Sequence, residues 1–134
     1  MADERKSITF RELPLAQQIE IVYYLSENYW DAKIKELAWC ESRQKSHIKV
    51  WDVGSYSFGY LQFKLGTFLG FGKKYQILPE EITQREALLL IYNENIQTEI
   101  AREMLADGLW YHWKNCGIRI GLNKLPNKWL ALLD

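Results

Sequence analysis

The change of pattern at Ile48 constrains this chain more than any other feature. Apolar residues before it recur at helical spacing. From Ile48 to Phe63 the chain is rich in Val, Trp, Tyr and Phe, and after that the helical spacing returns. Gly54-Ser55 offers a turn inside the β-rich stretch, which predicts a short hairpin. The whole reads as a mainly α domain interrupted by one small hairpin, an α+β arrangement covering residues 1–134 as a single domain.

The helical parts carry their own punctuation. Pro14 suits a helix start, and Leu15, Ile19, Val22, Tyr23 and Ser26 predict a helix over Leu15–Trp30. Asp31 is a plausible N-cap for a second helix running to about Ser42, with Ile34, Leu37 and Ala38 on its apolar face and Glu41 nearby. Gly66–Phe71 predicts a short helix closed by Gly70 and Gly72. Thr83-Gln84-Arg85-Glu86 is a capping box. The helix it opens carries Leu89, Ile96, Ile100 and Met104 along one stripe, runs to about Ala106 and stops at Gly108. Trp110–Asn115 predicts one further turn or short helix. Trp129, Leu130, Leu132 and Leu133 form a last apolar set.

Charge and composition remove several classes of function. Seventeen basic and seventeen acidic side chains leave a formal net charge of zero, which argues against a nucleic-acid binder built on a basic face. Met1–Phe10 is mostly polar and lacks the apolar core of a secretory signal. The longest apolar run, Ala87–Tyr92, is far too short to span a bilayer. His47 and His112 are the only histidines, so no metal site and no cofactor are expected. Cys40 and Cys116 form no CxxC pair. Two buried thiols are the first reading, and a single disulfide, with the oxidising compartment it implies, is the other.

Chemistry concentrates in Leu37-Ala38-Trp39-Cys40-Glu41-Ser42-Arg43 and Ser57-Phe58-Gly59-Tyr60-Leu61-Gln62-Phe63. A glutamate between apolar neighbours at a helix C-terminus is partly desolvated and faces the negative end of the helix dipole, and both effects raise its pKa. A carboxyl kept protonated near neutral pH can donate its proton to a glycosidic oxygen. The alternative is an ordinary exposed charge at a helix end.

Glu41-Ser42 followed by Ser57-x-Gly59-x-x-Gln62 resembles the goose-type lysozyme and soluble lytic transglycosylase superfamily, over about Ala32 to Cys116. The resemblance implies a lysozyme-like fold with Glu41 as the catalytic acid. It also sets Ser57, Gly59, Tyr60 and Gln62 beside the cleaved sugar. Asn95-Ile96 matches the start of the family's Asn-Ile-x-x-Gly pattern, with Glu99 where glycine is usual. Trp110, Trp113 and Cys116 are similar to a Trp-x-x-Cys ending of some small bacterial and phage-related members. Ser57 stands where animal-type lysozymes carry a second carboxylate, so the resemblance implies single-glutamate chemistry with a 1,6-anhydro product.

Asp52, near the hairpin tip, either positions water for a hydrolytic lysozyme or chitinase-like reaction or caps the Gly54-Ser55 turn. A non-catalytic relative that only binds glycan, or serves as a structural part of a phage tail or secretion machine, is the third reading. The expected partner is the glycan strand of peptidoglycan, met by a monomer with no nucleic acid and no membrane span. The setting would be the periplasm, the exterior, or the cytoplasm for a phage endolysin released through a holin. Sugar rings stack on aromatic side chains. Trp51, Tyr56 and Tyr60 on the hairpin, with His112 and Trp113 across a cleft, are the rings such a substrate would meet.

Overall fold

The stretch from Leu15 to Ser42 contains no glycine or proline, and it forms one helix, α1 (Leu15–Ser42), of 28 residues. The computed structural model describes residues 10–124, so the apolar set at Trp129–Leu133 and most of Met1–Phe10 lie outside the described residues, as do the side chains of Tyr23 and Ser26. The expected division of this stretch into two helices is corrected. Asp31 lies inside α1, where its carboxylate pairs with Arg102 instead of capping a helix start. Ile34, Leu37 and Ala38 are buried as their spacing predicts, whereas Leu15, Ile19 and Val22 are exposed.

The β-rich stretch gives a three-stranded antiparallel sheet rather than a lone hairpin: β1 (Lys49–Asp52), β2 (Ser55–Phe58) and β3 (Phe63–Lys64), in that order. β2 is central, with Ser57 opposite Val50 on one side and Lys64 on the other. The turn falls one residue earlier than expected, on Val53-Gly54, with Asp52 paired to Ser55. Both turn residues have positive φ, 44° and 84°, the geometry of a two-residue hairpin turn that matches the strand twist.

α2 (Leu65–Lys74) runs through Gly70 and Gly72 instead of ending there. Gly72 is a contact glycine: a Cβ on it would meet Leu78 Cδ1 at 2.4 Å. The capping box forms as expected, with Thr83 and Glu86 bonded reciprocally at the start of α3 (Gln84–Leu90). The long helix expected from there to Ala106 is corrected to two. Asn93 accepts from the Ile96 N–H and opens α4 (Glu94–Ala106). A 3-10 turn over Trp110–Trp113 leads into α5 (Lys114–Arg119). One core gathers Leu37, Leu61, Phe68, Ile91, Ile100 and Met104 from these elements. The fold is thus mainly helical with a small sheet, the α+β class.

Cys40 and Cys116 form a disulfide, with their Cα atoms 5.8 Å apart and a sequence separation of 76, which overturns the reading of two buried thiols. It ties the last turn of α1 to α5. Closing a loop of that length in the unfolded chain stabilises the fold by about 4 kcal/mol on the chain-entropy account.

Val53 is 94% exposed and held at positive φ, where a β-branched side chain is strained and packs on nothing. Val53→Asn is expected to raise stability by about 1 kcal/mol in urea unfolding, because asparagine tolerates this conformation. An unchanged or lower midpoint would contradict the strain.

Candidate functional site

The loop from Phe58 to Leu61, between β2 and β3, is held by side chains from three other elements. Gln97 of α4 is fully buried: its Nε2 donates to the carbonyls of Phe58 (2.9 Å) and Ile91 (2.5 Å), and its Oε1 accepts from the Leu61 N–H (2.8 Å). Ser42, the last residue of α1, donates from Oγ to the Tyr60 carbonyl at 2.7 Å. The indole N–H of Trp113 donates to the Leu61 carbonyl at 2.8 Å. A loop whose backbone is satisfied in this way has little freedom to shift.

Gly59 is obligatory at its place. Its φ is +75°, and a Cβ would come within 2.8 Å of Gln97 Nε2 and 3.2 Å of the Ser46 carbonyl. Gln62 braces the same loop, with its Nε2 donating to the Gly59 carbonyl at 2.9 Å from a backbone φ of 54°.

This clamp ties the loop to the end of α1, where Glu41 is half-buried. Its pKa is raised to about 7, first by burial and second by the charge of Asp52. The carboxylate of Asp52 therefore lies within electrostatic reach of Glu41. It also forms an exposed ion pair with Lys64, Nζ to Oδ2 3.8 Å, across the sheet.

The other expected site residues divide into two groups. Trp51 and Tyr56 stand on the outer part of the sheet, 62% and 42% exposed, with their rings edge-to-face at 5.1 Å and Lys49 over Tyr56. These rings are open to a ligand. Ser57 and Gly59 are buried, and Tyr60 is buried too, at 7% exposure. Trp113 is a core residue rather than a cleft wall, 5% exposed and edge-to-face with Phe63. His112 is exposed, with its ring against Phe71 and Tyr111, and partial burial lowers its pKa. Ser57, Tyr60 and Trp113 are thus buried rather than open to a ligand.

Comparisons with protein-family models, with curated proteins and with solved structures found no match. The site must therefore be read from its own geometry. Among the described residues no cluster of three or more His, Cys, Asp or Glu side chains is placed to hold a metal ion. No helix of the described residues is long and apolar enough to cross a membrane.

Sequence reasoning missed Gln97 and the anchoring role of Ser42. The signal for Gln97 was present. It opens the buried stripe Gln97, Ile100, Ala101, Met104, Leu105 on α4, and an amide at the head of such a stripe must find partners indoors.

The raised pKa of Glu41 has a consequence for stability. Its pKa is 4.5 when unperturbed and about 7 in the fold, so between these values the folded state holds a proton that the unfolded chain has lost. This contribution is fully present below pH 4.5 and is lost as pH rises through about 7. Glu41→Gln is neutral at every pH. Relative to wild type it should gain on the order of 2 kcal/mol at pH 8 over its standing at pH 4. Urea unfolding at the two pH values checks this, and an equal difference at both would contradict it.

Proposed function

We propose that this protein cleaves the β-1,4 bond between N-acetylmuramic acid and N-acetylglucosamine in peptidoglycan, with Glu41 as the one catalytic carboxyl, on a lysozyme-like fold. The observation that carries the reading is the half-buried Glu41, with a pKa near 7, at a helix end tied through Ser42 to the loop of a small sheet. A carboxyl of that pKa is populated in both protonation states at neutral pH, which suits a group that must give a proton and then take one.

In this mechanism Glu41 protonates the glycosidic oxygen as the bond from that oxygen to the anomeric carbon breaks. The resulting carboxylate then removes the proton of the muramic acid C6 hydroxyl. The freed oxygen closes on the anomeric carbon to give a 1,6-anhydro ring. No water is consumed, and Glu41 ends protonated as it began. The exposed rings offer faces for sugar C–H groups. The clamp on Phe58–Leu61 fixes the sheet so that the rings and the acid keep their relative placement. The Cys40–Cys116 disulfide supports action in an oxidising setting outside the cytoplasm.

A second reading, hydrolysis with Asp52 orienting water, is favoured by one observation: Asp52 acts on the pKa of Glu41 and so lies near it. Its ion pair with Lys64 counts against a free role in catalysis.

Digestion of purified cell wall followed by mass analysis of the released muropeptides separates the readings. Anhydro ends are expected from wild type, and no release from Glu41→Gln. Asp52→Asn is expected to keep most activity, with the alkaline limb of its pH profile moved to lower pH, because a charge that raises the pKa of Glu41 has been removed. Reducing ends, together with a loss of about a thousand-fold or more in Asp52→Asn, would establish the hydrolytic reading instead. Full activity in Glu41→Gln would sink both.

A further inference from the structure

The chain is neutral overall, but its cations are not evenly placed. A groove of about 530 Å³ runs along the last turns of α1 and the end of α5, lined by Lys35, Trp39, Cys40, Arg43, Arg119 and Ile120 among others. Lys35, Trp39 and Arg43 follow at intervals of four residues and share one side of the helix. Glu41, two residues beyond Trp39, turns roughly 200° away from it, so the groove is a second face of the same helix end.

Its floor is aromatic and its rim cationic. Trp39 is 55% exposed, with the Arg43 guanidinium 5.0 Å from its ring. The one carboxylate on the rim, Glu36, is taken by Lys33 at 3.1 Å. Among the described residues Lys35, Arg43 and Arg119 form no ion pair. Three uncompensated cations around a concave surface attract a ligand with more than one negative charge.

We infer that this groove binds a carboxylate-bearing peptide, the short acidic stem attached to the muramic acid of the wall. The inference rests on the peptidoglycan reading, because that substrate carries acidic peptides along its glycan. The groove and Glu41 lie on opposite faces of one helix end, so a peptide held here would keep the strand at the end of α1 that carries Glu41. Carboxylates would meet Lys35, Arg43 and Arg119, and the peptide's aliphatic parts would lie on Trp39. Such a site gives a neutral protein local attraction to an anionic wall.

The test is calorimetric titration with N-acetyl-L-Ala–γ-D-Glu of wild type and of the double variant Lys35→Gln/Arg119→Gln. Both side chains are exposed, so the fold should persist. Wild type is expected to bind with a sub-millimolar Kd and the double variant about ten-fold more weakly. On peptide-bearing wall the variant should show a raised KM with kcat held, while cleavage of peptide-free glycan strands stays as in wild type. Absence of peptide binding overturns the inference, as does equal binding by the variant. Tighter binding of a wall polyphosphate than of the peptide also overturns it. Peptide binding by a protein that releases no muropeptides would uphold the groove and reject the cleavage reading. Cleavage without peptide binding would reject the groove alone.

Discussion

The buried amide of Gln97 is the interaction on which the rest of the site depends. An amide has two donor hydrogens and an acceptor oxygen, and a fully buried one must spend them within the protein. Gln97 directs both donors to backbone carbonyls and its oxygen to a backbone N–H, on either side of the loop between β2 and β3 and at the junction of α3 with α4. Each bond contributes about 1 kcal/mol net, but leaving the Phe58 carbonyl or the Leu61 N–H unpaired would cost more than that. Gly59 is glycine because this amide stands where its Cβ would be. The carbonyl of Ile91 turns inward to the same amide at the point where the helical run breaks.

With the loop fixed, the geometry around Glu41 follows. Ser42 joins the end of α1 to Tyr60, the disulfide joins Cys40 to α5, and Glu41 lies between these two attachments in sequence. Rigid attachment on both sides keeps the carboxyl partly out of water, and that burial is the first cause of its raised pKa. The neighbouring charge of Asp52 adds to it. The arrangement thus stores an unfavourable ionisation in the folded state.

The legible parts of the sequence were those with local causes. The burial of Ile34, Leu37 and Ala38, the capping box at Thr83 and the hairpin after Ile48 follow from spacing and from short-range hydrogen bonds. The raised pKa of Glu41 was legible too, from its place beside Trp39 and Cys40 near a helix end. The misreadings arose where distant contacts decide. Asp31 resembles a cap by its neighbours, but Arg102 claims it from α4. Gly72 resembles a stop, but Leu78 requires its bare Cα. Trp113 resembles a cleft ring by composition, yet its N–H is needed by Leu61 and its ring packs edge-to-face with Phe63. The many aromatic residues therefore divide between core and surface, and Trp51, Tyr56 and His112, of the rings expected to meet a sugar, are exposed.

The central claim is that this fold holds Glu41 as a proton donor near neutral pH. The most direct test is a carboxyl-carbon NMR titration of Glu41 in the wild-type protein. A pKa of about 7 is the result this account predicts. A pKa near 4.5, the value of an ordinary glutamate, would contradict it.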